Sequence, residues 1–164
     1  MKRNTRTVAF CGILAAVYAV ITAATASFAF GPIQFRLADA LTVLCCFEPS
    51  SVFGLTVGCF LANLFSTVSP LDLVIGTAAT LLACLCMTRW RKPWQMLLPN
   101  ILFNGLLVGA ELAVVTAPPP LFWSALLTHG LTVALGETAV MLALGLPLWF
   151  YLDRSRVTDK LRLE

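Results

Sequence analysis

The sequence predicts an all-α integral membrane protein: one bundle of six transmembrane helices with both termini in the cytoplasm. Three observations carry that fold class. Hydrophobic residues make up 59% of the chain and charged residues only 12%. Apolar runs recur between short turn-forming breaks, and the basic residues gather into clusters that flank those runs. A soluble domain covers its surface with charged side chains at about a quarter of its positions, far more than are present here. The length of 164 residues accommodates one domain, 1–164, and shows no second.

A helix crosses a hydrocarbon core of roughly 30 Å with about 20 apolar residues. The first span, 7–29, follows Lys2, Arg3 and Arg6. Its apolar run exceeds the roughly 7–15 residues of a cleaved secretory signal and reads as a retained helix. After the Gly31-Pro32 break comes 37–47, which is short for a crossing. "EPSS" at 48–51 leads into the third span, 51–67, and Ser69-Pro70 precedes the fourth, 71–88. Lys92-Pro93 introduces the fifth, 94–116, and the prolines at 118–120 introduce the sixth, 121–151.

Charge parity decides the short segment. Basic clusters favour the cytoplasmic side, and here they comprise Lys2, Arg3 and Arg6, then Arg89, Arg91 and Lys92, then Arg154, Arg156, Lys160 and Arg162. An even number of crossings must separate successive clusters. Segment 37–47 therefore counts as a tilted or shortened crossing, whereas a re-entrant hairpin breaks parity. Segments 30–36, 67–70 and 117–120 then lie outside. Flanking apolar spans as they do, the clusters read as topogenic signals in a lipid bilayer and not as a nucleic-acid surface. The cysteines at 11, 45, 46, 59, 84 and 86 form no CxxC, and His129 is far from them in sequence, so no metal site, thiol redox centre or cofactor is expected.

Ionisable side chains at membrane depth are costly and face a bundle interior or a pathway. The candidates are Asp39, Asp72, Glu111, His129 and Glu137, with Asn63 and Asn104 as neutral companions. At about 1.5 Å of rise per residue, Glu111 and His129 fall at one level nearer the outside, and Asn104 and Glu137 at a deeper one. Asn104 and Glu111 are spaced to share a helix face. Several have structural alternatives. Asp72 completes "SPLD", a capping box headed by Ser69; Arg36 and Asp39 are spaced to pair along one helix; Asn63 and Asn104 suit interhelical hydrogen bonding. Glu111 and Glu137 point to function, since a carboxylate in a membrane without a purpose is rare. A small membrane enzyme would use them as acid and base, yet no nucleophile, metal cluster or second histidine accompanies them. On the first span, Gly12 with Ala16 and Ala15 with Ala19 have small-xxx-small spacing that permits close helix contact.

The polar pattern resembles the QueT family, the substrate-binding (S) components of energy-coupling factor (ECF) transporters. The stretches that carry the resemblance are "FGPIQFRLADALTVL" (30–44), "GLTVGCFLANLFS" (54–66), "LDLVIGTAATLLA" (71–83), "LFNGLLVGAEL" (102–112) and "ALGETAVMLALGLPL" (134–148). Asp39 departs from the pattern, standing where the family is expected to favour glutamate. The resemblance implies a non-enzymatic, multi-pass subunit of the bacterial cell membrane that binds queuosine precursors, queuine or aminomethyl-deazaguanine, at its outer face. It implies partners that hydrolyse ATP, a transmembrane coupling protein and two ATPase subunits, with Gly12, Ala15, Ala16 and Ala19 as the docking face. The substrate-binding residues it implies are Gln34, Arg36, Asn63, Asp72, Asn104, Glu111 and Glu137.

The chemistry of that ligand class agrees with these residue types. A carboxylate accepts from the ring N–H and exocyclic amine of a deazaguanine, an amide or guanidinium serves its carbonyl, and an aminomethyl cation wants a second acid. Phe30, Phe35 and Trp123 suit stacking on the ring or a place in the interfacial aromatic belt. Loop 30–36 reads as a lid, with Asp39 positioning Arg36. Fold and docking face do not select the ligand, so another vitamin-like molecule is the alternative within transport.

Overall fold

The computed structural model describes residues 2–30, 33–90 and 92–155. Every regular element among the described residues is helical. The Gly31-Pro32 break, Arg91, and the bases Arg156, Lys160 and Arg162 lie outside the described residues. Three helices, Thr5–Ala24, Leu97–Thr116 and Pro119–Arg154, are long and apolar enough to cross a membrane, and Leu37–Cys46, Ser51–Asn63 and Asp72–Met87 are shorter apolar helices.

The first rod is α1 (Lys2–Ala24), followed by a single turn, α2 (Ala26–Ala29). The predicted span 7–29 is interrupted at Thr25, whose hydroxyl bonds back to the Ile21 carbonyl at 2.7 Å. The segment predicted as a short crossing is a 3-10 helix, Leu37–Cys46. That geometry rises about 2.0 Å per residue against about 1.5 Å in an α-helix, so the segment reaches about a third farther than α-helical winding allows. Next come α3 (Ser51–Asn63), which stops short of the predicted 67, and α4 (Asp72–Met87).

The fifth rod is α5 (Leu97–Phe103), a π turn (Asn104–Val108) and α6 (Gly109–Thr116). The sixth is entered through a 3-10 turn (Pro119–Leu121) and comprises α7 (Phe122–Val140), a second π turn (Met141–Gly145) and α8 (Leu146–Arg154).

The 3-10 helix is the central post of the bundle. It touches α1, α3, α4, α7 and α8, while α1 packs on α3, α3 on α4, α4 on α5, and α6 on α7. Lipid is as apolar as a leucine side chain, so such helices associate through close packing, which small residues permit. A Cβ on Gly58 would lie 2.8 Å from the Ala15 carbonyl oxygen, and one on Gly54 would lie 2.8 Å from that of Cys11. On the other side of the bundle, a Cβ on Gly109 would lie 2.6 Å from the Gly130 Cα. Around the post, Tyr18, Val43, Leu55, Cys59, Met87, Met96, Met141 and Trp149 form one buried cluster. Val8, Ile13, Phe53, Val74, Leu102 and Leu135 are exposed apolar side chains on the outside of the rods, as a lipid-facing surface requires.

Candidate polar site in the bundle

In a 3-10 helix the side chains at i and i+3 eclipse one another. Asp39, Thr42 and Cys45 therefore stack along one face of the central post, and all three are fully buried. Asp39 organises the top of that column. Its carboxylate accepts from the Tyr18 hydroxyl and from Asn104 Nδ2 at 3.3 Å. Its backbone carbonyl accepts from the Thr42 hydroxyl at 2.6 Å and from Asn100 Nδ2 at 3.2 Å. Asn100 Nδ2 also lies 2.9 Å from the Thr42 hydroxyl, which closes the column below.

Arg36 does not pair with Asp39, contrary to their sequence spacing. It precedes the helix with a non-helical backbone (φ −81, ψ 84), so the α-helical register that would bring the two side by side is absent. Its Nη2 reaches both oxygens of Asp72, at 2.9 and 3.1 Å, in an ion pair shielded from solvent. The predicted capping box does not form. The Ser69 hydroxyl accepts from the Leu71 amide at 3.0 Å, and α4 begins without a side-chain cap because the Asp72 carboxylate is turned to Arg36. Asn63 braces this pair, donating from Nδ2 to the Asp72 carbonyl at 2.9 Å.

Gly76, one turn into α4, makes room for these groups. A Cβ there would overlap the Asp72 carboxylate and lie 2.8 Å from Asn63 Nδ2 and 3.2 Å from Arg36 Nη1. Above the site, the Arg36 guanidinium sits over the Phe30 ring at 5.7 Å, a cation–π contact.

Glu111 and Glu137 are both buried, and neither completes a hydrogen bond. Glu137 interacts with the Asp39 carboxyl, another buried acid. Glu111 lies within electrostatic reach of Asp72 and Arg36 and close to the Ser69 hydroxyl. Gln34 Nε2, Arg36 Nε and Nη1, and Asn104 Oδ1 are likewise buried without partners. Buried polar atoms in folded proteins nearly always have a partner. Here unpartnered ones gather around Asp39 and Arg36, with donors on the loop and acceptors on the last two rods.

Two backbone features set this arrangement. The loop carrying Gln34 rests on α7 at Gly136, where a Cβ would overlap the Gln34 carbonyl oxygen and lie 3.0 Å from its carbon. The π turn at Asn104–Val108 falls between Asn104 and Glu111. Their spacing is therefore not two plain α-helical turns: Asn104 meets Asp39, whereas Glu111 stands by Arg36 and Asp72. π turns inside α-helices occur often at functional sites.

His129, expected level with Glu111, meets the Thr116 hydroxyl at 3.0 Å from Nε2. Trp123 is exposed and packs edge-on to Phe122 at 5.3 Å between centroids, as a belt aromatic would. Of the small residues on α1, Ala15 is turned inward against Gly58, Gly12 and Ala16 are exposed, and Ala19 is half-buried. Tyr18, Asn100, Gly76 and Gly136 belong to the site's framework and were not singled out by sequence reasoning. A glycine directly before Glu137, and one a turn after Asp72, were the available signals.

The assembled chemistry is a buried set of four carboxyls, Asp39, Asp72, Glu111 and Glu137, against one arginine, with the amides of Gln34, Asn63, Asn100 and Asn104 beside them. Among the described residues no three His, Cys, Asp or Glu side chains are placed to hold a metal ion. The arrangement suits an organic ligand with several donors, at least one acceptor and positive charge.

The profile of a family described as QueT transporter matches residues 8–154 of this chain. The chain is also similar to the queuosine precursor transporter QueT of Lactococcus lactis subsp. cremoris (strain MG1363), at 29% identity over 154 residues, spanning 84% of this chain and 87% of that protein. No solved structure matches it.

Proposed function

Because this chain belongs to the QueT transporter family, we propose that it is the substrate-binding component of an ECF-type importer and takes up queuosine precursors, queuine or aminomethyl-deazaguanine. The observation that carries the reading is the group of buried, unpartnered polar atoms on Gln34, Arg36, Asn104, Glu111 and Glu137. These are the donor and acceptor types that a deazaguanine edge requires. The ligand class is supported by similarity to the Lactococcus queuosine precursor transporter.

In this reading six rods cross the bacterial cell membrane with both ends cytoplasmic, and the 3-10 helix is the second crossing. Loop 30–36 closes the outer mouth. Gln34, Arg36, Asn104, Glu111 and Glu137 touch the ligand. Asp72 and Asn63 hold Arg36 from behind, which fits their hydrogen bonds. The chain hydrolyses nothing; a transmembrane coupling protein and two ATPases supply the energy. The docking face is Gly12 and Ala16 with Ala19 at its margin, since Ala15 is occupied by α3.

Ligand binding by the purified chain, without nucleotide or partners, tests this reading. Queuine binding that is lost in Glu111→Ala or Glu137→Ala, in protein that remains folded, is the expected result. Folded protein that ignores every deazaguanine but binds another vitamin would refute the substrate and leave the transport role. Catalytic turnover by the isolated chain would refute both.

A further inference from the structure

The central post carries two kinds of winding. At its outer end the Asp39 amide bonds back three residues, to the Arg36 carbonyl at 2.9 Å. At its inner end the Leu44 carbonyl accepts twice, from the Phe47 amide at 3.0 Å and from the Glu48 amide at 2.8 Å. The bond from Glu48 spans four residues and is the α-helical one. The 3-10 helix Leu37–Cys46 thus ends in an α-type turn, from which α winding can spread outward without a new nucleus.

Runs of 3-10 helix longer than about 3–4 residues are uncommon, and this one has 10. What holds off α winding is gathered at Asp39. In an α-helix its carbonyl would accept from the Val43 amide. Here the same carbonyl accepts from the Thr42 hydroxyl at 2.6 Å and from Asn100 Nδ2 at 3.2 Å. The Asp39 carboxylate is held at the same time by Tyr18 and by Asn104 Nδ2.

The two windings differ by about 20° per residue. Rewinding outward from Leu44 would turn Asp39 by about 100° and carry its carboxylate away from Tyr18 and Asn104. It would also shorten the segment from about 20 Å to about 15 Å, drawing Arg36 inward.

A ligand shifts such an equilibrium only through contacts that differ between the two states. Two of the contacts proposed above do differ. Arg36 is carried on the outer end of the post. Asn104 holds Asp39 through Nδ2 and presents an unpartnered Oδ1. A ligand that engages both fixes Asp39 and the outer end together, and so favours the stretched form.

We propose that Leu37–Cys46 is a two-state element, 3-10 wound when the site is occupied and α-wound, about 5 Å shorter, when it is empty. Asn100 is the positioning residue that latches the stretched form. Occupancy at the outer mouth thereby becomes a change of length that reaches the turn before α3. The proposal rests on the ligand-binding reading above and adds a moving part to it.

The test measures that length on the full chain in lipid nanodiscs. Nitroxide labels are carried on noncanonical residues at Ile33 and Pro49, which are exposed and flank the post, so the native cysteines stay in place. Pulsed electron–electron double resonance reads their separation with and without saturating queuine, and queuine binding is titrated on the same samples. In the wild-type chain queuine should lengthen the separation by about 5 Å. Asn100→Ala should need about tenfold more queuine to reach the long form, because its competent state is less populated. Measured binding with an unchanged separation overturns the two-state post and leaves the deazaguanine reading standing. Lengthening in Asn100→Ala at the wild-type queuine concentration overturns the latch. Folded protein that binds no queuine overturns both the deazaguanine reading and the proposal. The wild-type change alone decides the matter should Asn100→Ala fail to fold.

Discussion

The sharpest test of how the outer loop is held is Gly136→Ala. In a helix, alanine is favoured over glycine by about 0.8–1.0 kcal/mol, so the substitution alone should stabilise α7. Against that gain stands the Gln34 backbone. The new Cβ would overlap the Gln34 carbonyl oxygen, lie 3.0 Å from its carbon, and lie 3.4 Å from Ile33 Cγ2. The obstacle is main chain, which cannot rotate away as a side-chain tip can, and overpacking of this kind costs about 1–3 kcal/mol. The net effect on stability is therefore small, between neutral and a loss of about 2 kcal/mol.

The larger consequence is displacement of the loop that carries Gln34 and Arg36. Deazaguanine affinity should fall about tenfold or more, equivalent to about 1.4 kcal/mol. Gly12→Ala is the matched control, because nothing lies within 4 Å of its Cβ. There only the propensity gain operates, and stability should stay level or rise by up to about 1 kcal/mol with binding unchanged. Thermal melting in detergent and ligand titration of both variants provide the readout. If Gly136→Ala gains stability as Gly12→Ala does and binds normally, the loop does not rest on α7.

Asp72→Asn should cost about 3–5 kcal/mol in thermal or denaturant unfolding, because it leaves Arg36 buried without its counter-charge; the double variant with Arg36→Gln should recover part of that loss. Tyr18→Phe removes one donor from the Asp39 carboxylate and should lower stability by about 1.5–3 kcal/mol in a melting assay. Gly58→Ala places a Cβ 2.8 Å from both the Ala15 carbonyl oxygen and Tyr18 Cβ. It should separate α1 from α3 at a cost of about 1–3 kcal/mol and, by moving Tyr18, also reduce affinity.

How much of this was legible in the sequence depends on the range of the interaction concerned. Hydrocarbon runs and their breaks are local, and they announced apolar helices and no sheet, which is what the described residues form. Glu111 and Glu137 stood out because a carboxyl in an apolar run is conspicuous whatever it touches. The partner of Arg36 was not legible. Asp39 was the local candidate under α-helical spacing, and the non-helical backbone at Arg36 sends its guanidinium to Asp72 on another rod. Tyr18 and Asn100 were invisible for a related reason. Each is a polar tip in an apolar helix whose role is defined by a partner many positions away. The π turns have no signature in composition or periodicity, yet one of them separates the partners of Asn104 from those of Glu111.

The second segment shows why these failures belong together. Read with a period of 3.6, Leu37–Cys46 is too short to cross and scatters its polar residues. Read with a period of three, the same residues lengthen the segment and bring Asp39 and Thr42 onto one line. That winding has poorer hydrogen-bond geometry than an α-helix and rarely persists beyond a few residues. Side-chain bonds from neighbouring rods support it here: Asn100 holds the Asp39 carbonyl and the Thr42 hydroxyl, and Tyr18 and Asn104 hold the Asp39 carboxylate. The groups that keep the central post stretched are thus the groups that line the polar site. Removing the Asn100 amide should disturb the post and the site together, even though Asn100 is not itself among the proposed ligand contacts.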